Sequence, residues 1–221
     1  MKKIIIVFGI LLLFTQAQAQ LKGAGKVLSR SFDLKDFDKI FILDFDGTID
    51  VQVGKPYSIV IEIDENLNQR LQLKRDKSDS SIVISLEGNK NGKLYLANTR
   101  IKIKVSLPTI TAFMQRGNAN SQIRGLDGIY FKLKNVGNGS LSLIGNIEEL
   151  DINKIGNGNI DATKLITKTA NVRTLGNGDV TVNTQLSLSA IGSGNGNVIQ
   201  TGRGKISSLS EIKGNGEVRM R

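Results

Sequence analysis

Cysteine, histidine and tryptophan are absent from this chain of 221 residues, proline occurs twice and aromatic residues make up 5 %. Without cysteine, no disulfide can staple the fold, and no acyl anchor can be attached through a lipobox. Without histidine or cysteine, Ser-His-Asp and Cys-His catalysis are excluded, as are imidazole- and thiolate-based zinc sites. An enzyme would be left with carboxylate or Lys/Arg chemistry, such as polysaccharide cleavage on a parallel β-helix. No Asp/Glu/Lys/Arg cluster recurs at matched offsets to support it. The scarcity of aromatic stacking residues argues against nucleic-acid binding. Helical periodicity is missing as well.

What is abundant is glycine, 24 residues, amid many Ile, Val and Leu. That combination predicts many short strands joined by tight turns. The formal net charge of +10 suits a basic soluble surface and would also attract anionic glycans or lipid surfaces.

Residues 1–19 read as a secretory signal peptide. Lys2 and Lys3 precede the apolar run Ile4 to Phe14, and Ala17-Gln18-Ala19 supplies the small residues that signal peptidase requires. The apolar run is too short to span a bilayer comfortably, so cleavage after Ala19 and export are expected, to the periplasm, the cell surface or the medium. No transmembrane segment is expected in the mature chain.

The dominant signal is an internal repeat. Gly-Asn-Gly begins at Gly137, Gly156, Gly176, Gly194 and Gly214, at spacings of 19, 20, 18 and 20 residues, and Gly117-Asn118-Ala119 is a degenerate earlier copy. Alternating apolar residues follow each turn: Leu141 and Leu143, Ile160 and Ala162, Val180 and Val182. A second set lies half a coil later: Ile129 with Phe131 and Leu133, Leu150 with Ile152, Val172 with Leu175, Leu186 with Leu188. Alternation at period two marks strands buried on one face. The pattern predicts an all-β, right-handed parallel β-helix or solenoid with two-strand coils of about 20 residues. Glycine supplies the positive φ needed at each corner, and asparagine tolerates it. The corner asparagines are expected to stack as an amide ladder along the axis.

Residues 27–115 carry the same alternation without the clear period, at Ile49 to Val53, Tyr57 to Ile63, Ile82 to Leu86 and Ile101 to Leu107. A short helical turn is expected between Asp64 and Leu71, and a hairpin or loop over 87–93. No linker separates the halves. We therefore expect residues 20–221 to form one domain, with irregular coils over 27–115 and regular ones over 116–221.

Phe41-Ile42-Leu43-Asp44-Phe45-Asp46-Gly47-Thr48 matches the first motif of haloacid-dehalogenase-like phosphatases. That chemistry also needs a helix after the motif and partner residues on an α/β sheet. Here the strand pattern of Val51 and Val53 follows directly, so the match is read as a turn. Asp44, Asp46 and Asp50 lack the glycine and terminal glutamate of a calcium loop, and only one Gly-Asn-Gly turn is followed by Asp, at Asp179. The glycines of 192–197 have the wrong spacing for a dinucleotide fingerprint and precede a strand. No metal or cofactor is expected. Arg100, Lys102 and Lys104 project from one strand and Lys132 and Lys134 from another. If those strands share a sheet they form a basic stripe, the candidate ligand contact; otherwise they are solvated edges that discourage aggregation.

The entry strand Phe37-Asp38-Lys39-Ile40, the segments Ile49 to Val53 and Ile82 to Ile84, and Ile103 to Pro108 leading into Gly-Asn-Gly repeats together resemble the auto-transporter adhesin family with a head GIN domain. The resemblance covers roughly 27–218. It implies a pectin-lyase-like β-helix without that fold's catalytic residues, and a role in adhesion. Family turns are often Gly-Ser-Gly, so the asparagines here alter the ladder chemistry and leave the fold intact. The expected protein is an exported, non-enzymatic solenoid binding an anionic glycan or a surface protein. The alternatives are a carbohydrate-active enzyme of pectate-lyase type and a purely structural envelope component.

Overall fold

The alternation resolves into strands almost throughout. The computed structural model of the protein describes residues 21–88 and 96–221; the expected signal peptide and most of the hairpin or loop expected over 87–93 lie outside them. In the N-terminal half these are β1 (Leu21–Lys22), β2 (Val27–Phe32), β3 (Lys39–Phe45), β4 (Thr48–Val53), β5 (Ser58–Asp64), α1 (Glu65–Asn68), β6 (Leu71–Asp76), β7 (Ser81–Leu86), β8 (Leu96–Ala97), β9 (Lys102–Leu107) and β10 (Ala112–Gly117). The repeat region contains β11 (Asn120–Gly137), β12 (Leu141–Ile155), β13 (Ile160–Leu175), β14 (Val180–Gly194), β15 (Val198–Gln200), β16 (Lys205–Ile206), β17 (Glu211–Gly214) and β18 (Val218–Met220). All but β1 and β8 join one 16-stranded sheet wrapped around a single core, a β-solenoid.

Successive coils pair in parallel register. One inward file runs Ile82, Ile40, Phe113, Leu133, Ile152, Val172, Ala190, each the ladder partner of the next. A second runs Ile103, Ile49, Ser121, Leu141, Ile160, Val180, Val198, Val218. Every apolar member except Val218 is buried. Parallel strands buried in this way carry the stability that disulfides cannot.

Three local features depart from the sequence expectation. Each regular coil is one long strand of 15–18 residues, bent rather than split in two. The bends sit at register shifts, as at Gly125, whose φ is +75°. Because a bulge resets side-chain parity, Ile129 and Leu186 beside the bends point outward, 72 % and 63 % exposed. Leu175 is also outward: three residues after buried Val172, it has the opposite parity. Finally, β2–β5, β5–β9 and β6–β7 are antiparallel, and with α1, whose Leu67 is fully buried, they cover the N-terminal end.

The Gly-Asn-Gly corners divide the work among their residues. The first glycine takes the left-handed backbone, with φ of +133° at Gly137, +122° at Gly156 and Gly176, and +127° at Gly194. The second, as at Gly158, lies so close to the previous coil that a Cβ would stand 2.0 Å from the Gly139 carbonyl oxygen. The asparagine does not take positive φ; it supplies the ladder. Its Nδ2 donates to the Oδ1 one coil earlier at Asn138–Asn118 (3.1 Å), Asn157–Asn138 (2.9 Å), Asn177–Asn157 (2.8 Å), Asn195–Asn177 (2.8 Å) and Asn215–Asn195 (2.9 Å).

Candidate functional site

The five basic residues singled out in the sequence do not share a face. Lys102 and Lys104 project from β9, between β4 and β5, with Glu62 as the ladder partner of Lys102. Lys104 Nζ donates to Glu62 Oε1 at 3.1 Å. Arg100 precedes the strand; its guanidinium donates to the Gly25 carbonyl at 3.1 Å and its backbone N–H to Asp64 Oδ2 at 2.5 Å. Lys132 and Lys134 stand elsewhere, on the second half of β11, between Ala112 and Asp151 and between Met114 and Asn153 respectively. The continuous stripe therefore does not form.

Around Lys132 and Lys134 a different surface is assembled. Ladder partners place Met114, Lys134, Asn153, Arg173, Ile191 and Glu211 in one outward row. The adjoining row runs Arg116, Val136, Ile155, Leu175, Ser193, Lys213. Ile155, Leu175 and Ile191 are 38 %, 52 % and 50 % exposed and line a shallow groove of about 550 Å³. Arg173, Lys213, Glu211 and Asn153 border it. Three large apolar side chains clustered in one groove are the kind of patch that marks an interaction surface. Sequence reasoning missed this groove because Leu175 was assigned to the core; counting parity from Val172 would have turned it outward.

Beneath the corner next to this surface, polar side chains line the interior. Gln115, Asn135, Lys154 and Thr174 are successive ladder partners and all are buried. Gln115 Nε2 donates to the Ala119 carbonyl, and Asn135 Nδ2 to that of Gly139 at 2.8 Å. Lys154 Nζ donates to the Gly156 carbonyl at 3.0 Å and to Thr174 Oγ1 at 3.4 Å. Burial holds the Lys154 ammonium below the ordinary lysine pKa, opposed by the charge of Asp179. On the outside, desolvation and the neighbouring Asp151 push the Tyr130 phenol up.

The phosphatase-like segment is strand on both sides: β3 ends at Phe45 and β4 begins at Thr48. Asp44 is held by Arg116, whose Nε and Nη2 donate to its two oxygens at 2.7 and 2.5 Å. That bidentate pair raises the arginine pKa. Among the described residues no three acidic side chains converge as a metal site.

Stacked coils, glycine corners and an exposed sheet face define a parallel β-solenoid presenting repeated surfaces. The chain belongs to the family described as "Putative auto-transporter adhesin, head GIN domain", whose model matches residues 36–204. A crystal structure of a "putative adhesin" from Bacteroides fragilis is similar at TM-score 0.67 and 23 % identity, covering 91 % of this chain and 100 % of that one. A "putative lipid binding protein" from Parabacteroides distasonis shares the fold at TM-score 0.55 and 19 % identity, covering 92 % of this chain and 100 % of that one. No curated protein matches.

Proposed function

We propose that this protein is an exported, non-enzymatic adhesin that holds an acidic surface glycan along the outer face carrying Lys132 and Lys134. One observation supports this reading above the others: the same sheet face sets Lys132, Lys134, Arg173 and Lys213 beside the exposed Ile155, Leu175 and Ile191. Cations draw in carboxylate or sulfate groups, and the apolar row packs against the C–H faces of the sugars. Equivalent positions recur at each coil, about 4.8 Å apart, so a polymer makes many weak contacts whose combined avidity exceeds any one of them. Lys102, Lys104 and Arg100 stand on another face, where Lys104 pairs with Glu62 and Arg100 donates to the Gly25 carbonyl, which leaves that group a secondary role.

The test is retention on an immobilised acidic polysaccharide, polygalacturonate or heparin. The wild-type chain should bind and be released by salt, since exposed charges are screened beyond about 8 Å at physiological ionic strength. Lys134→Glu with Arg173→Glu should abolish retention at unchanged thermal stability. Retention unaffected by that pair would refute the assignment of the face.

A further inference from the structure

Asp44 stands out for its backbone. Among the described residues it is one of four non-glycine residues with positive φ, at +65°. In the pairing of β3 with β10, Leu43 faces Arg116 and Phe45 faces Gly117, so Asp44 is the extra residue of a bulge. At the same corner the regular coils pass from strand directly into a glycine. Bulges redirect side chains, and a non-glycine residue held in this region costs energy that the surroundings must offset. Here the bulge turns the Asp44 carboxylate onto Arg116 and into a cleft of about 340 Å³ between β3, β6 and β7.

The other walls of the cleft are also polar. Gln72 and Ser85 are ladder partners across β6 and β7, and Gln72 Nε2 donates to Glu87 Oε2 at 3.4 Å. Lys74 completes the rim, and Leu43 and Leu86 supply the apolar part of the lining. Among the described lining residues Asp44 and Glu87 balance Lys74 and Arg116, so these side chains together give no net attraction to an ion. The cleft offers instead a carboxylate, an amide, a hydroxyl and a guanidinium whose five donors exceed the two committed to Asp44. Paired donors and acceptors around a small apolar wall match a ligand that is neutral, compact and rich in adjacent hydroxyls. The volume lies at the lower end of ligand sites, which begin at about 300 Å³.

We infer that this cleft, formed by Asp44, Arg116, Gln72, Glu87 and Lys74, is a second binding site that takes a single neutral pyranose unit. It lies at the capped end of the solenoid, where Arg116 begins the outward row that leads through Val136 to the groove at Ile155 and Leu175. Its lining shares no residue with that groove, so different substitutions test the two. The adjacent hydroxyls of the sugar donate to Glu87 and Gln72 and accept from Arg116 and Lys74, and its C–H face rests on Leu43.

The experiment is an amide NMR titration of the full chain with the methyl glycosides of glucose, galactose and mannose, with glycine and inorganic phosphate as comparison probes. Shifts should concentrate at 43–44, 72–74, 85–87 and 116 with at least one glycoside and persist at high salt. Gln72→Ala and Glu87→Gln, both at the accessible rim, should each weaken binding about tenfold, the loss of one hydrogen bond to a polar ligand. Asp44→Asn keeps a residue that tolerates positive φ and should weaken it further. Lys134→Glu with Arg173→Glu should leave this titration unchanged. Shifts with glycine or phosphate but with no glycoside, no shifts at all, or shifts insensitive to Gln72→Ala and Glu87→Gln would overturn the site.

Discussion

Lys154 is a charged residue at a buried, inward position. It shares parity with Leu150 and Ile152, which the sequence places in the core, yet its amine ends beneath a corner and donates to the Gly156 carbonyl at 3.0 Å. Nothing in the spacing of a single lysine announces that. The polar file Gln115, Asn135, Lys154 and Thr174 becomes visible only when ladder partners are aligned, because each coil fills the position with a different residue. The buried ammonium carries a testable sign. Its folded pKa lies below the ordinary 10.5, so between those two values the unfolded chain binds more protons. Stability contributed at this position is therefore lowest below the folded pKa and rises as pH climbs toward 10.5. Lys154→Met removes the dependence. Denaturant titrations should show its stability relative to wild type falling as pH is raised from neutrality to that value; a difference independent of pH would show that Lys154 titrates normally.

At the level of elements, corners were easier to read than strands. Gly-Asn-Gly announces its own position because few residues other than glycine adopt positive φ without cost, and the recurrence at 19, 20, 18 and 20 residues fixes which corners stack. The stacked asparagines follow from that spacing. The division of labour does not: the second glycine is required by the approach of the preceding coil, a contact the sequence cannot show. Gly158→Ala, with its Cβ 2.0 Å from the Gly139 oxygen, should cost about 1–3 kcal/mol or more in urea unfolding. A cost near zero would mean that the coils are not stacked this tightly. Strand direction was illegible for a different reason. Alternation of Ile, Val and Leu is identical in parallel and antiparallel strands, so β5 looked like part of a further coil although it pairs antiparallel with β2 and β9. Bends are hidden similarly, since a bulge shifts parity without altering composition, which is how Ile129 and Leu186 left the core.

Across the whole molecule, the charges are distributed by face. Lys102 and Lys104 lie among strands that also carry Glu62 and Asp50, and Arg124 is paired with Asp50 at 2.7 Å. The face of Lys132 and Lys134 gains Arg173 and Lys213 against Asp151 and Glu211, with an apolar row between them. Sequence reading had supplied two of these residues and the solenoid that spaces them; the apolar row needed the outward parity of Leu175. Because the rows stand on a continuous sheet, the surface is rigid before any ligand arrives, which lowers the ordering cost of binding a polymer. The most direct measurement is lysine footprinting: limited acetylation of the protein with and without polygalacturonate, read by mass spectrometry. The account predicts that Lys132, Lys134 and Lys213 become protected together while Lys102 and Lys104 stay as reactive as in the free protein. Protection centred on Lys102 and Lys104, or none at any of the five while the polymer is bound, would contradict it.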